Sequence, residues 1–217
     1  MTNSDLTRRT RTRAAATPGE HAAAAPGKGL GRGPGKRERL VAAAAQMLHQ
    51  QGVEATTLAD IAKAAGIPLG NVYYYFKAKS DIITAVIEAH AGSVASMLGG
   101  IEAGQADPAA RLKALFAALA GENEMVARYG CPHGTLCQEL AKHADGAGGP
   151  DASPLVRIPI DWAERQFAAM GRADARDLAI QVIAAYQGAA LLTSALRDPA
   201  VLERESRRMA AWIDSLR

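Results

Sequence analysis

The residues best suited to chemistry in this chain are few and clustered. Ten aromatic side chains occur among 217 residues, and four of them form one run, Tyr73-Tyr74-Tyr75-Phe76. Three adjacent tyrosines cannot all face one core at 3.6 residues per turn. Part of the run must therefore meet solvent or a partner, where a phenol offers an apolar ring and a hydroxyl. A second cluster is Cys131-Pro132-His133 with Cys137 one turn further on. Cysteine beside histidine is raw material for nucleophilic catalysis, but that chemistry also needs a group to orient the base and a site for the oxyanion. The segment supplies neither, so no enzyme is expected. His133 and Cys137 share a helical face at i, i+4. Two ligands fall short of the four that a structural zinc takes, so neither metal nor cofactor is expected. Two cysteines without a CxxC pair make no disulfide framework, and their usage fits a reducing cytoplasm.

Charge points to a third kind of chemistry. The net charge is +3, but residues 1–40 carry nine Lys/Arg against three acids, so the first 40 residues stand at +6 and the remainder at −3. A basic front on a mildly acidic body suits an anionic partner at one end. Within residues 1–35, Gly, Pro, Ala and Arg dominate and large apolar side chains are nearly absent, so the segment is expected to be a disordered basic arm. Its alanine runs are interrupted by Pro18, Gly19, Glu20, His21 and Pro26, which leaves no apolar stretch of signal-peptide length.

The aromatic run needs an element to hold it. Leu40, Val41, Ala44, Ala45 and Leu48 recur at helical spacing from Lys36 to Gln51, with Gly52 as the stop. Thr57 is an N-cap for a second short helix, with Asp60 favourably placed toward its positive end. Leu58, Ile61, Ala62 and Ala65 form the buried face of that helix, and Gly66 suits a tight interhelical turn. Ile67-Pro68 leads into a third helix ending at Tyr75, and Ser80 is expected to cap a fourth. Ala62 four residues before Gly66, and Val72 six after it, allow two helices to cross closely. This is helix-turn-helix spacing, whose second helix enters the major groove. Leu69, Asn71, Tyr73 and Tyr74 are its expected exposed side chains, suited to base-edge and phosphate contacts.

Residues Lys36–Ile87 resemble the TetR family of bacterial transcriptional regulators. The similarity is carried by Thr56-Thr57-Leu58-Ala59-Asp60-Ile61-Ala62, Gly66-Ile67 and Gly70-Asn71-Val72-Tyr73-Tyr74-Tyr75-Phe76-Lys77-Ala78-Lys79-Ser80. The resemblance implies a phosphate contact for Thr57 and a groove-facing helix end at Gly70 and Asn71. It also implies backbone or base contacts for Tyr73 and Tyr74, and a phosphate contact for Lys79. Pro68, where a small polar residue is usual, and Leu69 depart from the family pattern. The arm could follow phosphates or a minor groove, or act only as a solubilising tail.

The second half reads as helical throughout. Asp107-Pro108 opens a helix expected to reach Tyr129, Cys131–His143 forms another, and residues 145–153 form a Gly-rich loop. Pro154–Met170 is expected to be helical with a kink at Pro159, and Asp174–Leu196 and Pro199–Leu216 complete the chain. Leu178–Leu196 has no charged residue, but its Gln181, Gln187 and alanine content favour a buried helix over a membrane span. The fold class is therefore all-α: a three-helix helix-turn-helix head over residues 36–95 joined to a helical body over 96–217.

In proteins resembling this one the body holds a ligand cavity and a dimer interface. Leu178, Val182, Ala185, Gly188, Ala189 and Leu192 are the expected interface positions, forming a four-helix bundle with a second copy. Cys131, His133, Trp162, Phe167 and Tyr186 are the candidate cavity residues. Cys131 at a helix N-terminus would favour thiolate, which suits a redox or electrophile sensor. It equally suits a small buried residue shaping the pocket floor. The expected protein is a cytoplasmic homodimer with a double-stranded DNA operator and a small-molecule effector, acting most simply as a repressor. A DNA-binding structural protein without an effector is the competing reading.

Overall fold

The computed structural model describes residues 35–142 and 149–217. The basic arm and part of the expected Gly-rich loop lie outside the described residues. Every regular element among the described residues is a helix.

The first helix, α1 (Lys36–Gln51), buries Leu40, Val41, Ala44 and Leu48. In α2 (Leu58–Ala64) the Thr57 hydroxyl accepts from the Asp60 amide at 3.2 Å, and the Asp60 carboxylate accepts from the Thr57 amide at 3.2 Å. That reciprocal pair satisfies two amides that a helix start leaves free. Gly66 then turns the chain at φ +62°, and the Ile67 amide closes the turn on the Ala62 carbonyl at 2.9 Å. The short α3 (Leu69–Tyr75) follows, burying Val72.

The long α4 (Lys79–Gly104) starts one residue before Ser80, which is not its cap. The Asp81 carboxylate instead accepts from the Lys77 and Ala78 amides at 2.8 and 3.0 Å, and a charged acceptor outcompetes a hydroxyl for those donors. The helix expected to run from Pro108 to Tyr129 is two, α5 (Pro108–Ala120) and α6 (Asn123–Tyr129). Glycine at 121 weakens the helix, and the next one begins at Asn123 after Glu122, with no side-chain cap. The remaining helices are α7 (Pro132–Lys142), α8 (Pro154–Ala169, with Pro159 inside), α9 (Ala175–Leu196) and α10 (Ala200–Ser215).

Two hydrophobic cores result. The first joins α1–α3 and the start of α4 (Ile82, Ile83, Val86, Ile87) to Leu136 of α7 and Leu155 of α8. The second gathers Val94 and Leu98 from further along α4 with α5, α6, α8, α9 and α10. Helix α4 thus serves both cores, and the expected boundary at residues 95/96 falls inside it. Helices α4 and α9 are long and apolar enough to cross a bilayer by length and composition. Each nevertheless carries a buried stripe in these cores, as core helices of a globular domain do.

Candidate functional site

The outer face of α3 is built from what its core leaves out. Val72 and Phe76 are inaccessible and anchor the helix, while Tyr73, Tyr74 and Tyr75 are 47%, 76% and 36% exposed. Tyr74 and Tyr75 pack edge to face with centroids 4.9 Å apart, which stiffens an aromatic ridge on a seven-residue helix. Leu69 and Gly70 are exposed and Asn71 is half-buried at the same helix's first turn. Thr57 sits at the start of α2 with its hydroxyl bonded to Asp60, and that bond is the first cause holding the Asp60 carboxyl below its usual range. Lys79 is half-buried at the start of α4, its Nζ donating to the Glu54 carbonyl at 3.3 Å. All six residues expected to meet DNA therefore lie in or next to one helix-turn-helix, on the termini of α2, α3 and α4.

A second site lies between head and body. A cavity of about 560 Å³ is bounded by α1, α4, α5, α6, α7, α8 and α9, within the few hundred Å³ usual for small-ligand sites. His133 and Tyr186 line it. So do two histidines for which the sequence offered no signal, His49 on α1 and His90 on α4. The His90 and His133 rings meet edge to face at 5.0 Å. Burial first, then the neighbouring imidazoles, pushes the His133 pKa down to about 4. Burial and His49 lower that of His90 as well.

The other candidate residues are distributed differently. Trp162 and Phe167 do not line this cavity. Both are fully buried in the second core, where Phe167 packs edge to face on Trp212 at 6.2 Å. Large aromatics on a strongly amphipathic helix fill a core by default, and α8 turns both away from the cavity. Cys131 is buried just before α7, behind Tyr186. Its sulfur accepts from the Gly134 amide at 3.4 Å and from the Tyr186 hydroxyl at 3.6 Å. Burial, followed by Cys131, raises the Tyr186 phenol above its ordinary value. Cys137 does not join His133: its thiol donates to the Ala152 carbonyl at 3.3 Å, toward α8.

Two bonds tie the head to the wall of this cavity. His49 Nε2 lies 2.8 Å from the carbonyl of Gly130, at the α6–α7 junction. The Glu139 carboxylate on α7 accepts from the Val53 amide just after α1, at 2.5 Å. Gly52 fits beneath that carboxylate at φ +87°, where an added Cβ would stand 3.1 Å from it. These pairings span more than 80 residues of sequence, and no local pattern announces them.

On α9, Leu178 and Val182 face the protomer's own core and are not available to a second copy. Ala185, Gly188 and Leu192 instead line a groove of about 390 Å³ with Val201, Arg204, Glu205 and Arg208 of α10. Ala189 also reaches this groove, although it is itself buried in that core. Elsewhere on α9, Ile180, Leu191 and Leu196 are 46%, 62% and 64% exposed. Because α9 is apolar on most sides, helical periodicity alone did not reveal which stripe turns outward.

The geometry has counterparts among known proteins. The family model described as bacterial regulatory proteins, tetR family, matches residues 40–86. An uncharacterized HTH-type transcriptional regulator in the lacX 3′ region of Lactococcus lactis subsp. lactis is 29% identical over 171 residues, covering 77% of this chain and 87% of that protein. The HTH-type transcriptional regulator AcrR of Shigella flexneri is 42% identical over 52 residues, 24% of each chain. A crystal structure of a TetR transcriptional regulator from Legionella pneumophila superposes with a TM-score of 0.73 at 22% identity, over 84% of this chain and 97% of that one.

Proposed function

The chain belongs to the TetR family of bacterial helix-turn-helix transcriptional regulators, and we propose that it is a homodimeric, cytoplasmic repressor that binds a palindromic operator and is released by a small-molecule effector. Its relatives are regulators of transcription, not enzymes. The observation that carries the proposal is the position of the cavity. Its wall includes Gln46, His49 and Gln50 of α1, a helix of the DNA-binding head, and His90 and Met97 of α4, the helix shared by both cores. A molecule bound there touches the head directly.

Coupling requires that the effector bind the DNA-competent and released forms with unequal affinity. The His49–Gly130 and Glu139–Val53 bonds supply contacts that differ if the head shifts against α7. Thr57 and Lys79 would hold phosphates, and Gly70, Asn71, Tyr73 and Tyr74 would enter the groove. The exposed leucines and the α9–α10 groove support a two-fold dimer through Ala185, Gly188 and Leu192, which would present two recognition helices to a palindrome.

The test is recovery of genomic fragments retained by the purified protein at about physiological salt, followed by sequencing. A few palindromic sites near promoters are expected. Broad retention without a motif, with the steep salt dependence of phosphate contacts, would replace the proposal with a structural DNA-binding role.

A further inference from the structure

The cavity between head and body has two chemically different ends. Three of the chain's five histidines, His49, His90 and His133, arrive there from α1, α4 and α7. Along α4, Met97 lies seven residues beyond His90, about 10 Å away at 1.5 Å per residue, where Leu115 and Leu119 of α5 continue an apolar wall. Among the described residues, the titratable side chains facing the cavity from the surrounding elements are the three histidines, Tyr186 and Glu122. Among the described residues no lysine or arginine lines the cavity. Glu122 is exposed at the α5–α6 turn, and the Tyr186 hydroxyl is directed at the Cys131 sulfur.

We propose that the occupant of this cavity is an uncharged amphipathic molecule, with a hydroxyl or carbonyl held among His49, His90 and His133 and its hydrocarbon laid along Met97, Leu115 and Leu119. This rests on the reading of the cavity as the effector site. Neutral imidazoles at His90 and His133 each offer one N–H donor and one ring acceptor, while the His49 Nε2–H is already given to the Gly130 carbonyl and leaves only Nδ1 to the ligand. That set matches a hydroxyl or carbonyl without any change of protonation. An anionic head would have no permanent cation to meet. It would depend on a protonated imidazole, and burial pushes the His133 pKa down to about 4 and lowers that of His90, so His133 is neutral at pH 7. A cationic head would find one carboxylate, already hydrated at the cavity rim, and three imidazoles that repel it once any of them is charged.

The probes that decide this are 4-phenylbenzyl alcohol, 4-phenylbenzoate and 4-phenylbenzylammonium, which share a biphenyl and differ only in the polar end. Calorimetric titration into the DNA-free protein at pH 7.5 should show the alcohol binding at least tenfold tighter than either ion. In His133→Arg the order should reverse in favour of the carboxylate. If that variant does not fold, the wild-type order decides alone. A carboxylate or ammonium that binds as tightly as the alcohol overturns the proposal, and so does the failure of all three to bind up to their solubility. Operator affinity measured with each saturating probe separates this from the effector reading. An alcohol that binds selectively but leaves operator affinity unchanged sinks the effector reading and leaves the chemical class standing. A carboxylate that binds tighter and releases operator does the opposite.

Discussion

Helices α3 and α9 solve opposite problems. Helix α3 has seven residues and buries one of them, Val72. Helix α9 has 22 and buries nine. A helix with so little buried surface is marginal on its own, and α3 persists because Val72 and the following Phe76 lock into the first core. What remains outward is then free for the DNA contact proposed above. Helix α9 has apolar residues on nearly every side, so its outward face is also apolar, and under the proposed function this is where a second copy would dock. The lesson is that exposure of aromatic or aliphatic side chains has a different meaning on each helix. On α3, under the proposed function, it marks a ridge for DNA. On α9 it marks an apolar surface still to be covered.

This contrast can be tested, starting where the largest change is expected. Phe167→Ala, in the fully buried core that α9 shares with α8, should cost about 3–5 kcal/mol in denaturant unfolding. A loss under about 1 kcal/mol would place Phe167 in a yielding pocket wall instead.

Acidification should be next. The His133 pKa is lowered to about 4 in the folded chain, against about 6.5 unfolded. The unfolded state therefore binds more protons between these values, and stability is complete above pH 6.5 and falls as pH drops toward 4. The loss should reach up to about 3 kcal/mol, and His133→Asn should flatten that part of the profile. A flat profile in the parent protein would refute a neutral, buried imidazole.

On the recognition helix, Asn71→Ala and Tyr73→Ala should each weaken operator binding by about 1–3 kcal/mol while leaving the melting temperature nearly unchanged. Lys79→Ala should weaken operator and random DNA alike. Equal losses on both DNAs for all three variants would remove the sequence-reading role of α3. Leu192→Arg, beside Arg204 and Arg208 in the α9–α10 groove, should leave a folded monomer in sedimentation, whereas Val182→Arg should not fold. The smallest effect belongs to Thr57→Ala, which removes the α2 cap and should cost about 1 kcal/mol of stability. Its loss of DNA affinity should exceed that if the hydroxyl also meets a phosphate.

The head was the more legible half of the sequence. Thr57, Gly66, Val72 and Phe76 lie within 20 consecutive residues, and each has a local duty: a cap, a positive-φ turn and two core anchors. Local duties leave local patterns, so α1, α2 and α3 could be placed from spacing alone. The body was legible only as a set of helices. The break at Gly121-Glu122 is missed from sequence because α6 restarts at Asn123 without a side-chain cap to announce it, and an Ala/Leu-rich stretch does not advertise such a stop.

The amino-acid sequence by itself determined the all-α class, the helix-turn-helix and its exposed tyrosines, because these follow from contacts within one or two turns of helix. The tertiary structure alone decided that Trp162 and Phe167 fill a core while His49, His90 and His133 share a cavity. It also decided that Leu178 and Val182 turn inward while Leu191 and Leu192 turn outward. The physical reason is the same in each case. A helix's periodicity states that it has an apolar face, but which neighbour covers that face depends on side chains 40 to 90 positions away.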